Sequence, residues 1–182
     1  MKPYVEINAD TKRISDEVID YVFKQRTGIN LYNGHPWKFI DIKSLLKQSP
    51  TLVKFFKQHG LRVKHGAITS IFTNKDLPMH VDEKPVVAKI NFPILNTKGW
   101  TNKWYSVEKI STYPKVKNHI GSEVYDLSTA KGELLTEYRD MPNPIVFNSS
   151  IPHSVEQYAE DAKTPRVIAS FTFIEEPIEW LK

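Results

Sequence analysis

The spacing of hydrophobic residues along the chain changes near residue 60. In Ile14-Ser15-Asp16-Glu17-Val18-Ile19 the apolar positions fall at helical intervals and the polar ones suit a helix start. Ser15 serves as N-cap, Asp16 and Glu17 complement the positive end, and Ile14 meets Ile19 as a hydrophobic staple. The pattern predicts a helix to about Lys24. A second helical stretch is predicted from Ile42 to His59, restarted by Ser49-Pro50 and stopped at Gly60. From Leu61 the period becomes two, with β-branched and aromatic runs between Pro, Asn, Gly and Asp clusters. Strands are predicted near 61–73, 85–95, 103–110, 122–127, 133–138, 144–148, 152–157 and 166–174. Short strands in this number fit a mainly-β double-stranded β-helix, the jelly roll or cupin-like barrel, with the N-terminal helices packed outside. A single domain over 1–182 is predicted, with 1–60 as helical support and 61–175 as the jelly-roll core.

Composition narrows the chemistry more than the fold. Hydrophobic residues make up 40% and charged residues 25%, a balance that excludes low-complexity and wholly disordered chains. The chain has no cysteine, so disulfides, thiolate metal sites, iron–sulfur clusters and cysteine nucleophiles are excluded, and any metal falls to His, Asp or Glu. No apolar run approaches a membrane span and Met1-Lys2-Pro3-Tyr4-Val5-Glu6 has no signal-peptide core, so a cytoplasmic protein without membrane contact is expected. The net charge of +4 is spread along the chain, and no nucleic-acid partner is expected from it. Oligomeric state is not readable.

Two histidines stand out by their companions: His80 in Met79-His80-Val81-Asp82, and His153 in Ile151-Pro152-His153-Ser154-Val155. A His-x-Asp tripeptide alone is a weak signal. On an extended segment, however, residues i and i+2 project to one side, so His80 and Asp82 can offer an imidazole nitrogen and a carboxylate oxygen to one ion. His153 is the natural third ligand, on a later strand that a closed barrel can bring opposite. Two His and one carboxylate form the facial triad of non-haem Fe(II) oxygenases; zinc hydrolysis fits less well, since no His-Glu-x-x-His is present. In Arg166-Val167-Ile168-Ala169-Ser170-Phe171-Thr172-Phe173, the residues Arg166, Ile168, Ser170 and Thr172 share one face of a strand. A guanidinium in so apolar a strand needs an anion. Either a buried structural carboxylate or the carboxylate of a dicarboxylic cosubstrate meets that need.

With His80, Asp82, His153 and Arg166 in this order and spacing, the sequence resembles the Fe(II)/2-oxoglutarate-dependent dioxygenase superfamily over about residues 61–175. The stretch from His80 to Ile94 looks most like the aspartyl/asparaginyl β-hydroxylase branch. There a basic residue, a spacer and a His follow the first iron ligand and help to hold 2-oxoglutarate. Lys89 and Asn91 occupy those places here, differing in type from the branch's Arg and His. The resemblance implies that His80, Asp82 and His153 hold Fe(II). It also implies that Arg166 neutralises the distal carboxylate of 2-oxoglutarate, helped by Lys89, Asn91, Ser170 and a hydroxyl from Thr69 or Ser70. The reaction implied consumes O2, releases succinate and CO2, and hydroxylates an unactivated C–H bond of an amino acid, peptide side chain or small molecule. The nucleic-acid demethylase branch carries a second Arg where this chain has Thr172, which argues against base repair.

Two other classes compete: a non-catalytic jelly-roll binding or structural protein in which the histidines are incidental, and a cupin metalloenzyme that does not use 2-oxoglutarate. His35, His59, His65 and His119 are read as structural. Trp100, Trp104 and Tyr105 suit a core more often than a substrate mouth. The Lys43, Lys47, Lys54 and Lys57 face is a solvated surface. The loops near 96–102 and 111–121 are expected to frame the entrance.

Overall fold

Asp10 starts the first helix. Its carboxylate accepts the Arg13 N–H at 3.2 Å and its carbonyl accepts that of Ile14 at 3.0 Å, so α1 runs Thr11–Lys24 in this computed structural model. The helix therefore begins before the predicted cap. Ser15 lies inside it and donates through Oγ to the Ile94 carbonyl, tying α1 to a strand below, while Ile14 is a buried core residue of the helix and not a staple at its edge. Ser49 does precede the third helix, with Pro50 in its first turn, but makes no side-chain cap. Glu17 of α1 supplies the cap instead, accepting from Thr51 N at 3.0 Å and from Thr51 Oγ1 at 2.7 Å. The predicted stretch is thus two helices, α2 (Ile42–Gln48) and α3 (Pro50–Gln58), and Gly60 ends the second at φ +64°.

The structure describes residues 1–24, 37–72, 77–82, 86–117 and 123–182; the predicted positions His35 and His119 lie outside them. The strands there are β1 (Tyr4–Glu6), β2 (Trp37–Phe39), β3 (Val63–Ile71), β4 (Leu77–Asp82), β5 (Ala88–Leu95), β6 (Trp100–Ser106), β7 (Lys115–Lys117), β8 (Glu123–Asp126), β9 (Glu133–Arg139), β10 (Ile145–Asn148), β11 (His153–Gln157) and β12 (Arg166–Phe173). They form two six-stranded antiparallel sheets, in the orders β1-β10-β5-β12-β3-β2 and β7-β8-β4-β11-β6-β9. The mainly-β jelly roll is as predicted. Three strands of three residues each, β1, β2 and β7, had no counterpart in the pattern, and β4, of six, falls on the His80–Asp82 segment read as extended though not placed among the strands. Because β1 and β2 join the first sheet, the sheet does not respect a boundary at residue 60. The strand predicted at 103–110 is β6, which begins and ends earlier and is followed by a 3-10 turn at Ile110–Thr112.

Alternation along β12 explains the layers. Val167, Ala169, Phe171 and Phe173 face the helices and join one core with Leu45, Leu52, Phe55 and Phe56, where Phe56 meets Phe171 edge-on at 5.3 Å. Gly66 on β3 permits this packing, since a Cβ there would fall 2.5 Å from Ile42 Cδ1. Arg166, Ile168 and Ser170 point the other way, between the sheets. Trp100 and Trp104 are buried in the inter-sheet clusters, Trp104 stacked on Tyr4 at 4.9 Å. His59 ends α3 against Trp180. His65 is exposed on β3, and Lys43, Lys47, Lys54 and Lys57 are exposed as read. Among the described residues, no helix is long and apolar enough to cross a membrane.

Candidate metal centre

His80 and His153 stand directly opposite each other in the β4·β11 ladder, so both side chains emerge on the same, inner side of the second sheet. Asp82, two residues further along β4, projects to that side as well. One ligand atom from each of the three lies within 4.8 Å of the others, and the imidazole centroids are 4.3 Å apart.

Each of these residues has its second polar atom tied elsewhere. His80 Nδ1 is 2.8 Å from the Pro78 carbonyl and His153 Nδ1 is 2.8 Å from the Ile151 carbonyl. A carbonyl only accepts, so Nδ1 carries the proton in both rings and the lone pair is at Nε2. Asp82 accepts from Lys89 Nζ through Oδ2, leaving Oδ1, which is 3.8 Å from His80 Nε2. Three lone-pair donors converge: two Nε2 and one Oδ1.

Their charge states match. Burial pushes the pKa of His80 down against the pull of Asp82, and burial together with the neighbouring His80 pushes that of His153 down to about 3. Burial alone would raise Asp82, but Lys89 and the two imidazoles outweigh it and hold the carboxyl well below its usual range. Two neutral imidazoles and one carboxylate are the forms a divalent ion requires. This mixed nitrogen and oxygen set on one face leaves coordination positions open, which suits iron(II) and its divalent analogues.

The three ligands open into a pocket between the sheets. The first sheet contributes Thr69, Lys89, Asn91, Arg166 and Ser170 to its wall, so of the residues that the sequence nominated for the metal or the cosubstrate all but Ser70 face this one space. Thr69 does so and Ser70 does not, because Thr69 pairs with inward-facing Ile168 in the β3·β12 ladder. Ser170 stands opposite Asn91 and donates to its Oδ1 at 2.7 Å, which turns the amide hydrogens of Asn91 to other acceptors.

Arg166 is 3% exposed, donates to Asn102 Oδ1 at 3.1 Å and lies 3.9 Å from Met141 Sδ. Among the described residues its Nε has no partner and no carboxylate pairs with it. Burial alone pushes its pKa down, to about 9. Among the described residues, then, a structural carboxylate, one of the two anions foreseen for this residue, does not meet it.

The sequence pattern missed Asn102, Leu77, Phe147 and Met141. Asn102 could have been found from the alternation Trp100, Asn102, Trp104, which puts all three on one face of β6; starting the strand at 103 left it in the 96–102 loop instead. Phe147 packs edge-on against His153 at 4.7 Å. Met141 and the preceding Asp140 both adopt left-handed backbone, at φ +41° and +61°. Asp140 is held by the Gly99 N–H at 2.7 Å and the Tyr158 hydroxyl at 2.6 Å, which keeps this strained corner beside Arg166. Among the described residues of the loops expected at the entrance, only Asn102 from 96–102 reaches the pocket wall, and it does so from within β6.

No family model matches the chain, and no curated protein matches it in sequence. Among solved structures it is similar to SnoK, a non-haem α-ketoglutarate-dependent carbocyclase from nogalamycin biosynthesis, at 10% identity and a TM-score of 0.52, covering 93% of this chain and 78% of that one. Looser matches include oxalate decarboxylase of Lactobacillus farciminis (10% identity, TM-score 0.35, 77% of this chain and 29% of that one). L-ribose isomerase of Cellulomonas parahominis also matches (11% identity, TM-score 0.37, 94% and 88%). At such identities the likeness is one of fold. The chain has a cupin- and dioxygenase-like double-sheet architecture, with a His-Asp-His cluster able to hold a metal ion inside it.

Proposed function

We propose that the protein is an Fe(II)- and 2-oxoglutarate-dependent oxygenase. The observation that carries this reading is Arg166: a guanidinium buried in the same pocket as the metal donors, with an orphaned Nε and no carboxylate partner among the described residues. A metal site alone would serve many reactions. A metal site sharing its pocket with an unanswered buried cation asks for a ligand that chelates at one end and is anionic at the other.

Iron(II), 2-oxoglutarate and O2 bound there would supply the oxidation of an unactivated C–H bond, with release of succinate and CO2. The chain's own residues bind, orient and exclude water. His80, Asp82 and His153 provide three donors on one side, leaving the other side for ligands. Arg166, steadied by Asn102, holds the distal carboxylate, and Thr69, Ser170 and Asn91 offer hydroxyl and amide groups along the way. Ile71, Leu77, Val155 and Ile168 keep the intervening wall apolar. The likeness of the His80–Ile94 stretch to the aspartyl/asparaginyl hydroxylase branch favours an amino-acid or peptide side chain as substrate, although Lys89 and Asn91 depart from the branch's Arg and His there.

The test compares 2-oxoglutarate with 2-oxobutyrate, which keeps the keto-acid chelate but lacks the distal carboxylate. With Mn(II) present, 2-oxoglutarate is expected to bind about 100-fold more tightly, and Arg166→Met to erase that preference, as loss of a buried charge-assisted pair predicts. Equal affinities for the two acids in the unaltered protein would contradict the reading and favour a cupin metal chemistry without this cosubstrate.

A further inference from the structure

Lys89 lies on the first sheet and Asp82 on the second, yet the two meet across the pocket. The ammonium donates to Asp82 Oδ2 and sits 5.7 Å from the centre of the Phe147 ring, with the lysine side chain 13% exposed. Asp82 has two oxygens and, in the proposed reading, two cations to satisfy: Lys89 on Oδ2 and a divalent ion on Oδ1.

We propose that Lys89 couples metal loading to anion loading. Two cations on one carboxylate repel each other where the Lys89 and Asp82 side chains are only 13% and 23% exposed, so the ammonium opposes the metal when the metal arrives alone. An anionic ligand bound at the metal's open positions lies within the same pocket as the ammonium and answers both charges. The metal is then held more tightly with the anion than without it, and the anion more tightly with the metal, by the same factor. Arg166 adds a second positive charge to the pocket, so the partner best suited to this arrangement is a dianion. Lys89 is in this account a positioning residue whose charge enforces the order and completeness of loading, beyond its place among the residues that line the ligand space.

This inference rests on the oxygenase reading, and its test separates the two. Mn(II) affinity is measured from the free-ion paramagnetic resonance signal, with and without 2-oxoglutarate, for the unaltered protein, Lys89→Met, Lys89→Gln and Lys89→Arg. Circular dichroism confirms that each variant folds. Both neutral variants are expected to bind Mn(II) alone about ten-fold more tightly than the unaltered protein, and the tightening brought by 2-oxoglutarate to shrink by a similar factor. Lys89→Arg is expected to behave like the unaltered protein. If the neutral variants bind Mn(II) alone equally well or more weakly, while the unaltered protein still responds to 2-oxoglutarate, Lys89 merely orients Asp82 and the coupling proposal fails by itself. An unaltered protein that binds no Mn(II), or binds it without regard to 2-oxoglutarate, overturns the oxygenase reading and the coupling together.

Discussion

Arg166 on β12 and Asn102 on β6 meet across the two sheets, with the guanidinium donating to the Asn102 amide oxygen at 3.1 Å. This contact joins the sheets through a cation that a neutral amide oxygen satisfies only in part. Replacing Arg166 by Met removes a buried charge that has no counter-ion among the described residues and keeps most of the volume. The free protein is expected to gain about 1–3 kcal/mol in urea unfolding while losing its response to 2-oxoglutarate. A cation that cost nothing to bury would show no such gain.

The three metal donors should act as a unit. His80→Ala, Asp82→Ala and His153→Ala are each expected to bring bound metal from about one ion per chain to none by elemental analysis after gel filtration. Arg166→Ala is expected to keep the metal, because its side chain touches Asn102 and Met141 and none of the three ligands.

Much of this site was legible because strands alternate. His80 and Asp82 share a side through their two-residue spacing, and Arg166 and Ser170 share one by the same rule. The choice between Thr69 and Ser70 was not legible, since adjacent residues face opposite ways and only the β3·β12 register sets the phase. Asn102 was hidden because the strand was read as starting at 103, which left Asn102 in the 96–102 loop, whereas β6 begins at Trp100. The short strands β1, β2 and β7, each three residues long, carry too few positions to show a period. The start of α1 was misplaced because Asp10 and Ser15 are both good caps, and contact with the Ile94 carbonyl claims Ser15.

Acid should destabilise the metal-free fold. His153 has its pKa lowered to about 3 in the folded protein, against about 6.5 in the unfolded chain. Between those values the unfolded chain binds the proton and the folded one does not, so stability is present above about pH 6.5 and is lost as pH falls toward 3. His80 shifts in the same direction, and Asp82, also lowered, adds its loss below about pH 4. With chelator present, the urea midpoint at pH 5 is expected to correspond to about 2 kcal/mol less stability than at pH 7, and His153→Gln to flatten that dependence. A steeper loss in the variant would contradict the assignment.

Glu17 provides a control remote from the pocket. Its carboxylate caps α3 at Thr51, so Glu17→Ala is expected to cost about 1 kcal/mol in urea unfolding and to leave Mn(II) affinity unchanged.

The central claim, that one pocket holds a metal and a chelating dicarboxylate together, is tested most directly by anaerobic titration with Fe(II) and then 2-oxoglutarate under visible absorption. The account predicts a metal-to-ligand charge-transfer band that appears only when both are present, saturates at one equivalent of each, and is lost in His153→Ala. Iron bound without any such band would contradict it.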